Sequence, residues 1–223
     1  MSDPPPDGVG SWRIPFKALP FCIRACIDQK GPAMPAPQRV LVLGIGNPLM
    51  LDEGIGVRVL EEMDKHYTFS EGTDLVDAGT MGLGMISMFR DIDFMLIIDA
   101  IDGTGHPAGT VVRVSPEDFS PNQVFHGLHD VRFVDVLSSA RLIGIEVDAE
   151  CVGIQVKDMS PVELTVGLSE PVEAAVTRAV AAALTLLDER SIPFAEIPDP
   201  DAEPFFKAVR AAYDEMRDKR RDH

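Results

Sequence analysis

Two short apolar runs, Val40-Leu41-Val42-Leu43-Gly44-Ile45 and Phe94-Met95-Leu96-Ile97-Ile98, constrain this chain more than any other feature. Neither alternates apolar with polar residues, so each reads as a strand buried on both faces, which requires a parallel sheet covered by helices above and below. Between them Ile55, Val59 and Met63 recur at four-residue steps, with Leu60 and Tyr67 beside them, and predict a helix over about residues 53–66. Leu75-Val76 before Asp77 predicts a second strand, residues 83–90 a second helix and residues 94–99 a third strand. Residues 110–114 read as a further strand at a sheet edge, because Pro107 and Pro116 bracket them. A helix over 131–142, a last strand over 151–156 and a helical stripe from Val172 to Leu187 complete the pattern. The expected fold is α/β, a single doubly wound, mostly parallel twisted sheet with helices on both faces.

The ends of the chain follow other rules. Residues 1–37 hold eight of the 18 prolines and have no periodicity, so they read as a disordered extension, with Met34 as the true start. A signal peptide is the weaker alternative, since Pro15, Pro20 and Arg24 interrupt its apolar core. Residues 38–190 form the expected folded domain. Residues 191–223 form a proline-rich linker and an amphipathic helix whose stripe is Phe205, Phe206, Val209, Tyr213 and Met216. That stripe either docks on the body, the favoured reading, or binds a partner. A net charge of -16 argues against nucleic-acid and anionic-membrane partners. The longest apolar stretch, 179–187, is far short of the roughly 20 residues of a membrane span. Cys22, Cys26 and Cys151 make no disulfide framework, which fits a reducing cytoplasm.

Chemistry-bearing residues fall where such a sheet brings its strand ends together. Glu53 closes the loop that follows Gly44-Ile45-Gly46, Asp99 ends the third strand, and His129 sits just before the helix starting near Asp130. Ligands of open α/β sheets bind in the crevice outside the carboxyl ends of the strands, and two carboxylates with an imidazole suit a borderline ion such as nickel or zinc. Blander readings exist for each. Asp52 and Glu53 could simply cap a helix N-terminus, and a loop histidine such as His126 or His129 is more often solvated than a ligand. Asp99, directly after Leu96-Ile97-Ile98, must be paired or functional. The glycines invite a dinucleotide-binding reading, but the third glycine is missing, Pro48 sits in the turn, and Asp77 lies too far on. No serine or cysteine sits in a nucleophile elbow, and Cys151 falls inside a core strand.

The ordered set Leu43-Gly44-Ile45-Gly46-Asn47-Pro48, Asp52-Glu53-Gly54-Ile55-Gly56-Val57, Asp77-Ala78-Gly79-Thr80, Ile98-Asp99-Ala100 and His129 before Asp135-Val136-Leu137 resembles the hydrogenase maturation endopeptidases. The resemblance covers roughly residues 38–190 and departs at Ala78, where many relatives carry a second glycine. It implies an endopeptidase that trims the C-terminal extension of a nickel-iron hydrogenase large-subunit precursor after nickel insertion. It further implies Glu53, Asp99 and His129 as the catalytic and metal-site residues, and Asp77, Gly79 and Thr80 as substrate-recognition residues. Nickel is then carried by the precursor, with zinc or a similar ion able to occupy the site, and the enzyme is expected to be a cytoplasmic monomer. Two rivals stay open: a non-catalytic metal-binding chaperone of the precursor, and a nucleotide-binding domain.

Overall fold

The computed structural model describes residues 38–115, 133–157, 161 and 163–221. The expectations placed on residues 1–37, on Cys22 and Cys26, and on His126 and His129 lie outside the described residues.

Strand β1 (Val40–Ile45) leads through a 3-10 turn (Leu51–Gly54) into helix α1 (Ile55–His66). The chain continues through β2 (Tyr67–Phe69), β3 (Thr73–Gly79), a 3-10 helix (Gly82–Met88), β4 (Phe94–Ile101) and β5 (Val111–Val114). Then follow α2 (Phe133–Leu142), β6 (Asp148–Gln155), the single turn α3 (Glu170–Glu173), α4 (Val176–Glu189), β7 (Phe194–Glu196) and α5 (Glu203–Arg221). The main sheet has the order β3-β1-β4-β6-β5, parallel except for β5, which pairs antiparallel with β6 at the edge.

The two apolar runs behave as their composition requires. Val40, Val42, Leu96 and Ile98 face one core with α1, α4 and α5, while Leu41, Leu43, Met95 and Ile97 face a second core beneath the 82–88 helix and α2. Covering both faces gives the doubly wound fold, and no helix among the described residues is long and apolar enough to cross a membrane.

The structure corrects several boundaries. The helix expected over 83–90 is a 3-10 helix over 82–88, because seven residues that include Gly82 and Gly84 are too short and too flexible for a stable α-helix. The first helix begins as a 3-10 turn, so Glu53 precedes the α-helical ladder. Tyr67 ends α1 and opens β2, which pairs antiparallel with β7 in a ribbon that was not expected. Strand β4 runs two residues past Asp99, through Ala100 and Ile101. Strand β6 starts at Asp148, not 151, since its buried Glu150 is held by Arg113 and Arg190 and so breaks the apolar pattern without breaking the strand. The last helix is split into α3 and α4 between Glu173 and Val176. The C-terminal stripe docks on the body, with Phe206 and Val209 buried in the first core and Phe205 stacked on His66 at 4.5 Å.

Candidate active site

Strand β1 is flanked by β3 and β4, so the chain leaves β1 for one neighbour and later crosses back to the other. A crevice opens outside the carboxyl ends at such a switch point. Glu53 comes from the turn after β1, and Asp99 stands near the carboxyl end of β4, paired with Gly153 of β6. The structure therefore brings these two carboxylates to one place.

Backbone packing holds them there. A Cβ on Gly56 would stand 2.2 Å from the Ile45 carbonyl oxygen and 2.3 Å from that of Ile98, so only glycine lets α1 rest its first turn on the ends of both strands. Gly46 has φ +134°, and a Cβ there would lie 1.8 Å from the Glu53 carbonyl oxygen. The glycines that suggested a phosphate loop thus serve close packing of the turn that carries Glu53. Leu51, next to the two acids, has φ 52°, a left-handed conformation costly for a branched residue. Its amide donates to the Thr165 carbonyl at 2.7 Å, and the Thr165 amide donates to the Leu49 carbonyl at 2.9 Å, so a distant loop holds it in place.

Asp52 is not the helix cap that its position suggested. It is fully buried, and its carboxylate accepts hydrogen bonds from the Lys157 amide (3.0 Å), the Ser169 amide (2.7 Å) and the Ser169 hydroxyl (2.9 Å). This acid ties the loop of β1 to the segments after β6 and before α3. No local pattern could have revealed it, because its partners lie 105 and 117 residues away.

Glu53 is buried, with 2 % of its surface exposed. Asp99 keeps some exposed surface, yet the packing around its carboxyl is dense enough that desolvation pushes its pKa up to about 7. The Ala100 amide donates to it and opposes the rise, while the nearby Glu53 charge adds to it. Asp99 lies on the same side of β4 as Met95 and Ile97, the side that α2 covers, and α2 begins four residues after His129. Among the described residues, no group of three His, Cys, Asp or Glu side chains could hold a metal ion. Glu53 and Asp99 supply two oxygen-donor groups to the crevice.

Of the other expected site residues, Asp77 is exposed and its carboxylate accepts from the Gly79 amide at 2.8 Å, closing a tight turn. Gly79, at φ 46°, accepts from the Gly46 amide at 3.1 Å, which puts the Asp77–Thr80 turn beside the Glu53 loop. Thr80 is exposed on that turn, and Ala78 is buried. Cys151 is a free, buried thiol whose pKa is pushed well up, first by burial and then by the charge of Asp99. It has none of the features of a nucleophile.

The sequence profile of the hydrogenase maturation protease family matches residues 57–186. The chain is similar to a hydrogenase 2 maturation protease of Escherichia coli K12, 30% identical over 158 residues, which cover 69% of this chain and 93% of that protein. It is 36% identical over 159 residues to the hydrogenase expression/formation protein HupM of Azotobacter chroococcum, covering 69% of this chain and 73% of the relative. Its fold is similar to the solved hydrogenase maturating endopeptidase HybD of E. coli, with a TM-score of 0.63 at 30% identity, covering 71% of this chain and 98% of that one. The [NiFe] hydrogenase maturation protease HybD of Thermococcus kodakarensis matches with a TM-score of 0.54 at 25% identity, covering 67% and 99%.

Proposed function

Because this chain belongs to the hydrogenase maturation protease family, we propose that it cleaves the C-terminal extension from a nickel-iron hydrogenase large-subunit precursor once nickel has been inserted. The observation that carries this reading is the pairing of Glu53 with Asp99 at the switch point between β1 and β4. Glu53, Asp99 and His129 recognise nickel held by the precursor, so the metal arrives as part of the substrate. Carboxylate and imidazole donors suit that ion, and zinc could occupy the same donors. Bound there, the metal would polarise the scissile carbonyl or an attacking water. Asp77, Gly79 and Thr80, on the turn beside the Glu53 loop, contact the polypeptide.

The chain's own contribution is positioning and proton transfer. In the metal-free protein burial raises the Asp99 pKa to about 7, so its carboxyl holds a proton near neutral pH that it gives up on binding the precursor's nickel. Glu53 beside it supplies the second carboxylate. The buried, unreactive Cys151 fits a mechanism without a covalent intermediate; the protein is proposed to act as a cytoplasmic monomer.

The test is to incubate the protein with nickel-loaded and nickel-free precursor and measure the product mass. Wild type is expected to cut only the loaded form; Glu53→Gln, Asp99→Asn and His129→Ala abolish cutting, double variants are no worse than single ones, and His126→Ala still cuts. Equal cutting of the nickel-free precursor, or full activity of His129→Ala, would overturn the metal assignment.

A further inference from the structure

Among the described residues seven large hydrophobic side chains are exposed, and five of them lie on segments hydrogen-bonded to the Glu53 loop or directly after one: Leu49, Leu164 and Val166 on the 49–51 and 164–166 segments, and Met81 and Leu83 at the start of the 82–88 helix. The other two, Leu142 and Ile143, lie at the end of α2, before β6 begins at Asp148. Scattered apolar residues need no explanation, but a cluster around one crevice does. Leu164 and Val166 are 73% and 77% exposed, flanking Thr165, which bridges Met50 in parallel. Extended backbone at the bridge sends residues 164 and 166 to the same side, next to Leu49 on the partner segment. On the β3 side of β1, Met81 and Leu83 follow the turn whose Gly79 carbonyl accepts from the Gly46 amide.

These loops are also held. The Thr165 bonds and the three bonds to Asp52 anchor the ledge to the segment that ends in Glu53. An apolar surface fixed before binding loses little conformational freedom when a ligand lands on it. The exposed charges on these segments are mostly negative: Asp77 lies on the turn before Met81, Asp102 follows β4 and Glu163 precedes Leu164, against Lys157, whose amide donates to Asp52.

We propose that Leu49, Leu164 and Val166 form an apolar ledge that grips the substrate polypeptide beside the scissile bond, with Met81 and Leu83 on the β3 side of β1. The occupant is an extended segment with apolar side chains and no net negative charge. This inference rests on the peptidase reading, since a peptidase must hold a polypeptide at Glu53 and Asp99, and it adds the surface that selects it.

The experiment uses the full chain with the nickel-loaded precursor as probe. Binding is measured in the Glu53→Gln background, with and without the pair Leu164→Ser and Val166→Ser, and processing is measured with Glu53 intact. The ledge pair is expected to weaken binding about ten-fold or more, to raise KM more than it lowers kcat, and to leave the thermal midpoint unchanged. The control pair Leu142→Ser and Ile143→Ser, equally exposed but at the end of α2, leaves binding unaltered. If wild type cuts the precursor and the ledge pair binds within two-fold of its parent, the ledge is wrong and the peptidase reading stands. If the precursor is held through the ledge but never cut, the ledge stands and the peptidase reading falls. Absence of any binding refutes both.

Discussion

Asp99 lies within β4 among the side chains of the second core, and desolvation rather than a single partner sets its acidity. An aspartate whose folded pKa stands above its unfolded value favours the folded state most fully below the unfolded pKa, near 4. That contribution is lost as pH rises through the folded value of about 7. Asp99→Asn is therefore expected to stabilise the metal-free protein at pH 8 and to make no difference near pH 4. Each pKa unit is about 1.4 kcal/mol, and discounting for the intermediate exposure of the residue leaves an effect on the order of 1–3 kcal/mol. Urea unfolding of both proteins in a chelator at the two pH values checks this, and a variant less stable at pH 8 would contradict it. Cys151 pairs with Ile97 inside the sheet and is 2% exposed. Cys151→Ala should keep processing activity while losing about 1 kcal/mol of stability through a small cavity. A folded but inactive variant would revive cysteine chemistry.

At the scale of elements, the strap joining residues 49–52 to 157 and 165–169 is the least expected part of the molecule. Asp52→Ala leaves two part-buried amides without their acceptor, a loss of about 1–3 kcal/mol. It also frees Leu51 from its left-handed conformation and lets Glu53 drift. Ser169→Ala removes only the hydroxyl bond and should cost about 1 kcal/mol. Chemical unfolding with a parallel processing assay tests both; an Asp52→Ala protein as stable as wild type would show that the strap is decorative. The same scale explains the misplaced boundaries. Glu150 is charged but lies inside β6 because Arg113 and Arg190 neutralise it from β5 and from the residue after α4, a pairing across distant elements. The β2–β7 ribbon joins residues 67–69 to 194–196, and runs of three residues carry no usable periodicity.

For the whole molecule, residues 1–37 hold eight of the 18 prolines and carry no helical or strand periodicity. Deletion of residues 1–33 is accordingly expected to leave the thermal midpoint and processing unchanged; a clear drop in melting temperature would show that the extension packs on the core. The C-terminal helix is different. Phe206 and Val209 belong to the first core, and His66, bonded to Glu62 at 3.0 Å, lies between Phe205 and Phe206. Phe206→Ala is expected to cost about 3–5 kcal/mol, measured by urea unfolding, and a loss below 1 kcal/mol would mean that the helix only rests on the surface.

What the amino-acid sequence determined by itself was whatever depends on neighbours along the chain. The unbroken apolar runs 40–45 and 94–98 demanded strands covered on both faces, and the four-residue step through Ile55, Val59 and Met63 demanded a helix. A doubly wound order then placed Glu53 and Asp99 at one switch point. Tertiary structure alone decided the partners of Asp52, the anchoring of Leu51, the raised pKa of Asp99 and the gathering of Leu49, Leu164 and Val166 beside the crevice. Periodicity reports which face of an element is buried. It carries no information about a hydrogen bond spanning 117 residues or about how much water reaches a carboxyl, because both depend on which loops meet after the sheet has closed.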